Sequence, residues 1–105
     1  MALVQKNINW KPYEVIYSAG EESNGVYLIK EGTVELYTPE GLKLNETGES
    51  EIFGESSIML GTKRTVTAKT GKQNVFASFI PKLNFLQLIE KNVALSALIK
   101  KTQLR

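Results

Sequence analysis

Apolar and polar residues alternate over short segments through most of the chain, and glycines separate these segments. An alternation with a period of two is typical of β-strands that turn one face toward a core. Glu31-Gly32 predicts a tight hairpin between two such segments, because glycine accepts the positive φ that hairpin turns require. The pattern predicts strands at residues 26–30, 33–37, 42–45, 64–69 and 74–80.

The pattern changes to a helical period after Pro81. Leucines at 83, 86 and 88, with Ile89, cover one side of a helix that begins at Pro81 and ends near Asn92. A second, short helix is expected after Asn92, and only a brief helical segment is expected at the N-terminus. Strands first and helices last indicate a mainly β fold, an antiparallel β-roll or jelly-roll sandwich with C-terminal helices.

Composition narrows the possible classes of protein. The 105 residues predict a single domain over 1–105, and the net charge of +2 is too small to indicate direct contact with nucleic acid. The chain has no cysteine and no histidine, so disulfides, zinc ribbons and imidazole catalysis are excluded. No apolar run reaches the roughly 20 residues of a membrane span. We therefore expect a cytoplasmic protein with no membrane contact within this chain.

The most specific chemistry lies in residues 53–68. Glu55 and Arg64 stand nine positions apart, with glycines, hydroxyl residues and one helical turn between them. A glutamate can accept hydrogen bonds from a sugar hydroxyl, and an arginine can fork onto phosphate oxygens. Free backbone amides of a helix beginning near Ser56 would add an anion site. This segment predicts a cradle for a small phosphate ester.

The segment resembles the phosphate-binding cassette of cyclic nucleotide-binding domains. The likeness also takes in residues 13–37, which are similar to the family's opening strands, and covers roughly 12–100. The last helix is short for the family. The residues that fit the cassette's order and spacing are Phe53, Gly54, Glu55, Ser57, Ile58, Met59, Arg64 and Thr65.

The resemblance implies a regulatory domain that senses cAMP or cGMP and does no chemistry. The nucleotide is its ligand, and neither a cofactor nor a metal is implied. Binding would order the cassette and rearrange the C-terminal helices. The effector that receives this signal is expected in another chain or in a segment outside these residues.

The resemblance also implies a role for each site residue. Glu55 accepts a hydrogen bond from the ribose 2′-hydroxyl, and Gly54 lets the sugar approach. Arg64 holds the phosphate, with Ser56 and Ser57 in the loop beside it. Thr65 reaches the phosphate or the 2-amino group of a syn guanine. Apolar residues line the sugar and base, namely Leu36, Leu44 and Phe53.

Ordinary explanations stand beside these roles. The three apolar residues would be core in any sandwich, Ser57 could be a loop serine, and Arg64 alone would be a surface arginine at a strand start. If Arg64 holds the phosphate, we expect Arg64→Ala to weaken nucleotide binding with little loss of stability. Two rival functions remain: a degenerate domain that acts as a protein interaction module, and an enzyme with a metal site made only of carboxylates.

Overall fold

The computed structural model describes residues 5–91, which form eight strands and two helices. The strands are β1 (Lys6–Trp10), β2 (Val15–Tyr17), β3 (Gly25–Glu31), β4 (Val34–Tyr37), β5 (Lys43–Thr47), β6 (Ile52–Phe53), β7 (Thr67–Thr70) and β8 (Val75–Pro81). The helices are α1 (Glu55–Leu60) and α2 (Lys82–Lys91).

The strands form two antiparallel four-stranded sheets. One has the order β1-β8-β3-β6 and the other the order β2-β7-β4-β5. The hairpin through Gly32 sends β3 and β4 into different sheets, and Gly32 has a φ of 95°. The two sheets, the short helix and the helix after β8 confirm the predicted mainly β sandwich.

Aromatic residues fill the space between the sheets at the end nearest α1. The ring of Tyr27 stacks on Phe53 at 4.9 Å, and Tyr17 stacks on Phe53 at 6.1 Å. Val34 and Ala68, from the opposite sheet, are fully buried in the same cluster. This core therefore joins β6, which leads into α1, to both sheets.

A second apolar cluster covers the outer face of the first sheet. Ile58 from α1 packs with Phe85 and Ile89 from α2, and with Val26 and Ile80 from β3 and β8. Phe85 is completely buried. The two helices thus share one small core.

Three predicted elements differ from the structure. The described residues begin with strand β1, whereas a brief helical segment was expected at the N-terminus. The strand predicted from Arg64 begins only at Thr67, because the backbone of Arg64 bonds instead to the loop before β3, through Glu21 O at 2.8 Å and Gly20 N at 2.7 Å. Pro81 ends β8 and directly precedes α2. The helix predicted after Asn92 lies outside the described residues.

Candidate functional site

A cavity of about 270 Å³ has two main walls. One is α1 together with the segment that follows it, and the other is formed by strands β4 and β5. Of the site residues predicted from the sequence, only Leu44 does not line it. Leu44 is 58% exposed on β5, where its side chain turns away from the cavity. The predicted residues that line the cavity are Leu36, Phe53, Gly54, Glu55, Ser56, Ser57, Arg64 and Thr65.

Two glycines bound the short helix α1. Gly54 precedes it with φ 89°, and Gly61 ends it with φ 71°, donating its N–H to Ile58 O at 3.2 Å. Both angles lie in the left-handed region that favours glycine. A Cβ on Gly54 would also lie 2.9 Å from Nη1 of Arg64. Gly54 therefore lets both the backbone turn and the arginine come close.

Arg64 is the most deeply buried charge in the cavity wall. It is 4% exposed, and its Nη1 donates to Gly54 O at 2.6 Å, while Nη2 donates to Gly25 O at 2.6 Å. A further bond runs from Nη1 to the hydroxyl of Ser57 at 3.2 Å. Its Nε is buried with no hydrogen-bond partner. Within residues 5–91 no carboxylate lies within 4 Å of the guanidinium.

This geometry argues against the expectation that Arg64 is dispensable for stability. The side chain ties together the start of β3, the residue before α1 and α1 itself. Removing it would leave buried acceptors unsatisfied, which costs stability. Arg64 therefore stabilises the fold and is also a candidate residue for binding a ligand.

Tyr17 lines the cavity beneath Arg64. The guanidinium carbon lies 4.1 Å from the centre of the tyrosine ring. Burial raises the pKa of Tyr17 to about 12, although the charge of Arg64 opposes that shift. The phenol therefore stays neutral and offers its face to the cation. Its place in the site was not predicted from the sequence, because no motif links Tyr17 to the cassette.

Glu55 is half-buried at the first position of α1 and lines the same cavity. Burial raises the pKa of its carboxyl group, while a backbone hydrogen bond and the charge of Arg64 act in the opposite direction. A half-buried carboxylate can accept hydrogen bonds from a ligand that enters the cavity.

The remaining predicted site residues differ in how exposed their side chains are. Ser56 and Thr65 are exposed at the cavity, whereas Ser57 and Phe53 are buried, with Phe53 only 2% exposed. Leu36 is half-buried and packs against the core. The cavity also has polar lining residues from β5 and the turn after it that the sequence analysis did not select, namely Asn45, Glu46, Thr47 and Glu51.

The family model for the cyclic nucleotide-binding domain matches residues 7–92. The chain belongs to this family. Within residues 5–91 of this cyclic nucleotide-binding domain, no helix is long and apolar enough to cross a membrane. The same part of the chain contains no cluster of three carboxylates that could hold a metal ion.

Two curated relatives are protein kinase components. The domain is 36% identical over 59 residues to a cAMP-dependent protein kinase regulatory subunit of Debaryomyces hansenii, covering 56% of this chain. It is 28% identical over 85 residues, or 81% of this chain, to a cGMP-dependent protein kinase of Plasmodium berghei. The matched segments span only 13% and 10% of those two proteins.

A similar fold occurs in a solved regulatory subunit of a cAMP-independent protein kinase A from Trypanosoma brucei, in a mutant form bound to cAMP in its A site. The TM-score is 0.81 at 19% identity, over 96% of this chain and 37% of that one. At this identity the likeness concerns the fold alone.

Proposed function

We propose that this domain binds a cyclic nucleotide, cAMP or cGMP, in the cavity beside α1. The main support for the proposal is that Arg64 is a buried cation without a counter-charge. Its Nε has no hydrogen-bond partner, and among residues 5–91 no carboxylate lies within 4 Å of the guanidinium. A buried charge without a counter-charge is costly, so a ligand anion that supplies one binds favourably. In this proposal Arg64 contacts the cyclic phosphate.

The other walls suit the rest of such a ligand. The Glu55 carboxylate accepts a hydrogen bond from the ribose 2′-hydroxyl, and the apolar side chains of Leu36 and Val66 face the sugar and base. Thr65 is exposed at the cavity and can reach the phosphate or a syn guanine. The two kinase relatives are named for cAMP and cGMP respectively, which supports the class of ligand without choosing between the two.

The domain then acts as a sensor through α2 and does no chemistry. Arg64 bonds to Gly25 O, and the neighbouring Asn24 O accepts from Lys82 N, at the start of α2, at 3.0 Å. Ile58 joins α1 to α2 through their common core. A ligand that changes the position of Arg64 or α1 can therefore shift α2, as far as its affinity differs between the two arrangements.

A second candidate function is that of a protein interaction module that binds no nucleotide. It is favoured by the three hydrogen bonds that Arg64 already makes within the protein.

Calorimetric titration of the purified protein with cAMP and cGMP tests the proposal. The matched controls are 5′-AMP and 5′-GMP, which share base and sugar but carry a second phosphate charge at pH 7. We expect saturable binding of at least one cyclic nucleotide and weaker binding of both controls. The interaction-module function would instead give no binding of either cyclic nucleotide, together with no rise in melting temperature at saturating concentrations.

A further inference from the structure

The loop before β3 is bound to the segment that follows α1. Arg64 N donates to Glu21 O at 2.8 Å, and Gly20 N donates to Arg64 O at 2.7 Å. Lys63 adds an exposed ion pair to Glu22 at 3.7 Å. These bonds bring Ser23, which lies outside the cassette in sequence, against α1.

Ser23 and Ser57 form a buried pair of hydroxyls. Their Oγ atoms lie 2.7 Å apart, and Ser23 Oγ also lies 2.8 Å from Thr62 O. A carbonyl oxygen can only accept, so the single proton of Ser23 points to Thr62 O. The bond between the two hydroxyls must then use the proton of Ser57.

This count fixes the direction of a continuous chain. Arg64 Nη1 donates to Ser57 Oγ, which donates to Ser23 Oγ, which donates to Thr62 O. The Ser57 hydroxyl has no proton left for a ligand. The hydroxyl instead accepts a hydrogen bond from the arginine.

The same count identifies the donors that Arg64 can offer to a ligand. A guanidinium has five N–H groups. The two on Nη1 are used by Gly54 O and Ser57 Oγ, and one on Nη2 is used by Gly25 O. The N–H of the buried Nε and one N–H of Nη2 remain.

We propose that Ser23 and Ser57 are positioning residues that hold the Arg64 guanidinium so that its Nε–H and remaining Nη2–H are offered to a ligand phosphate. The inference takes its ligand from the proposed function, and its structural support is the hydrogen-bonded chain from Arg64 through Ser57 to Ser23. Neither serine touches the phosphate. Ser23 belongs to the site only through Ser57.

Ser23→Ala and Ser57→Ala test this role, with Ser78→Ala as the matched control. Ser78 is fully buried, but its Oγ has no partner, so its removal breaks no hydrogen bond. We expect each of the first two changes to weaken cAMP and cGMP by about 3- to 10-fold, equally for both because the phosphate is common to them. Ser78→Ala should bind as the parent does.

A measurement on the arginine itself separates positioning from general loss of stability. In ¹⁵N NMR spectra, the Nη–H signals of Arg64, assigned from their loss in Arg64→Lys, should be resolved in the parent because hydrogen bonds slow rotation of the group. They should merge in Ser23→Ala and Ser57→Ala, and stay resolved in Ser78→Ala. Ser57→Cys and Ser23→Cys, nearly the same size, provide the test if an alanine variant does not fold.

Resolved Arg64 signals and parent-like affinity in a folded Ser23 variant would overturn the inference. Failure of the parent to bind either nucleotide would contradict the proposed function alone. In that case the NMR comparison still decides whether the serines hold the guanidinium.

Discussion

The guanidinium of Arg64 lies on the face of Tyr17, with its carbon 4.1 Å from the ring centre. The phenol face and three protein oxygens surround the cation, and none of them carries a full negative charge. The fold thus solvates the charge without neutralising it. An anion that enters the cavity would complete the environment of Arg64.

Arg64→Ala should affect stability and binding together. We expect the free energy of unfolding to fall by about 2 to 4 kcal/mol, because buried acceptors lose their donors. Nucleotide binding should weaken by about 3 to 5 kcal/mol if the phosphate loses a desolvated partner. Urea unfolding and calorimetry measure the two effects. The control Lys63→Ala removes the neighbouring exposed cation and should change either quantity by less than about 0.5 kcal/mol. Unchanged stability in Arg64→Ala would contradict the buried geometry.

Gly54→Ala and Gly61→Ala form a matched pair at the two ends of α1. Both glycines have positive φ, so each alanine should cost about 1 to 2 kcal/mol of unfolding free energy. A Cβ at position 61 meets nothing within 4 Å, whereas one at position 54 crowds Arg64. Only Gly54→Ala should also weaken nucleotide binding, as measured by calorimetry on the folded fraction. Equal affinities of the two variants would show that Arg64 tolerates displacement.

A double cycle with ribose-modified nucleotides tests Glu55. The 2′-deoxy form of a cyclic nucleotide should bind the parent about 1.5 to 3 kcal/mol more weakly, because the carboxylate loses its donor. In Glu55→Gln, removing the 2′-hydroxyl should cost much less, because the two changes act on one hydrogen bond. Additive effects would separate Glu55 from the sugar.

The pH dependence of stability also reports on Glu55. Burial raises its pKa in the folded state above the ordinary value of 4.5, so the folded protein binds this proton more tightly than the unfolded chain. The contribution of Glu55 to the unfolding free energy should therefore fall as the pH rises from 4.5 through the raised pKa, and level off above it. Denaturant titrations from pH 4 to 8 should show this slope in the parent and not in Glu55→Gln. If the parent were less stable than Glu55→Gln at low pH but not at neutral pH, the pKa of Glu55 would be lowered by folding and this prediction would be wrong.

Thr65→Ala tests the choice of base. If the exposed Thr65 hydroxyl reaches a syn guanine, the change should weaken cGMP by about 1 kcal/mol more than cAMP, the scale of one neutral hydrogen bond. Equal losses would limit the hydroxyl to the phosphate. Thr62→Ala is the control, because Thr62 bonds to Ser23 and Ser57 through its backbone O and N–H, which alanine keeps. Calorimetric titration of both variants with both nucleotides gives the four affinities.

The cassette residues could be predicted to share a site because they are close in sequence. Phe53 to Ser57 enter the cavity wall through one turn and the start of one helix. The partners of Arg64 could not be predicted in this way. Gly25 lies 39 residues from Arg64 in sequence and Ser23 lies 34 from Ser57, so only the tertiary fold brings them together.

Errors at the strands have local causes. β1 has an alternating pattern, Asn-Ile-Asn-Trp, but four residues are too few to distinguish it from the brief helical segment that was expected. The predicted strand from Arg64 followed the same alternation. There the backbone pairs with a loop and the charged side chain turns inward, because the core offers it acceptors. Leu44 was expected beside the sugar and base because of the family resemblance, yet its position on β5 faces solvent.

The unbalanced charge of Arg64 has a consequence for redesign of this domain. A substitution chosen only to raise the melting temperature would give the guanidinium a carboxylate neighbour in the cavity wall. That ion pair would use the N–H groups of Arg64 that the proposal assigns to a ligand anion. Raising the stability of this molecule and keeping Arg64 open to the proposed ligand are therefore opposing aims at a single side chain.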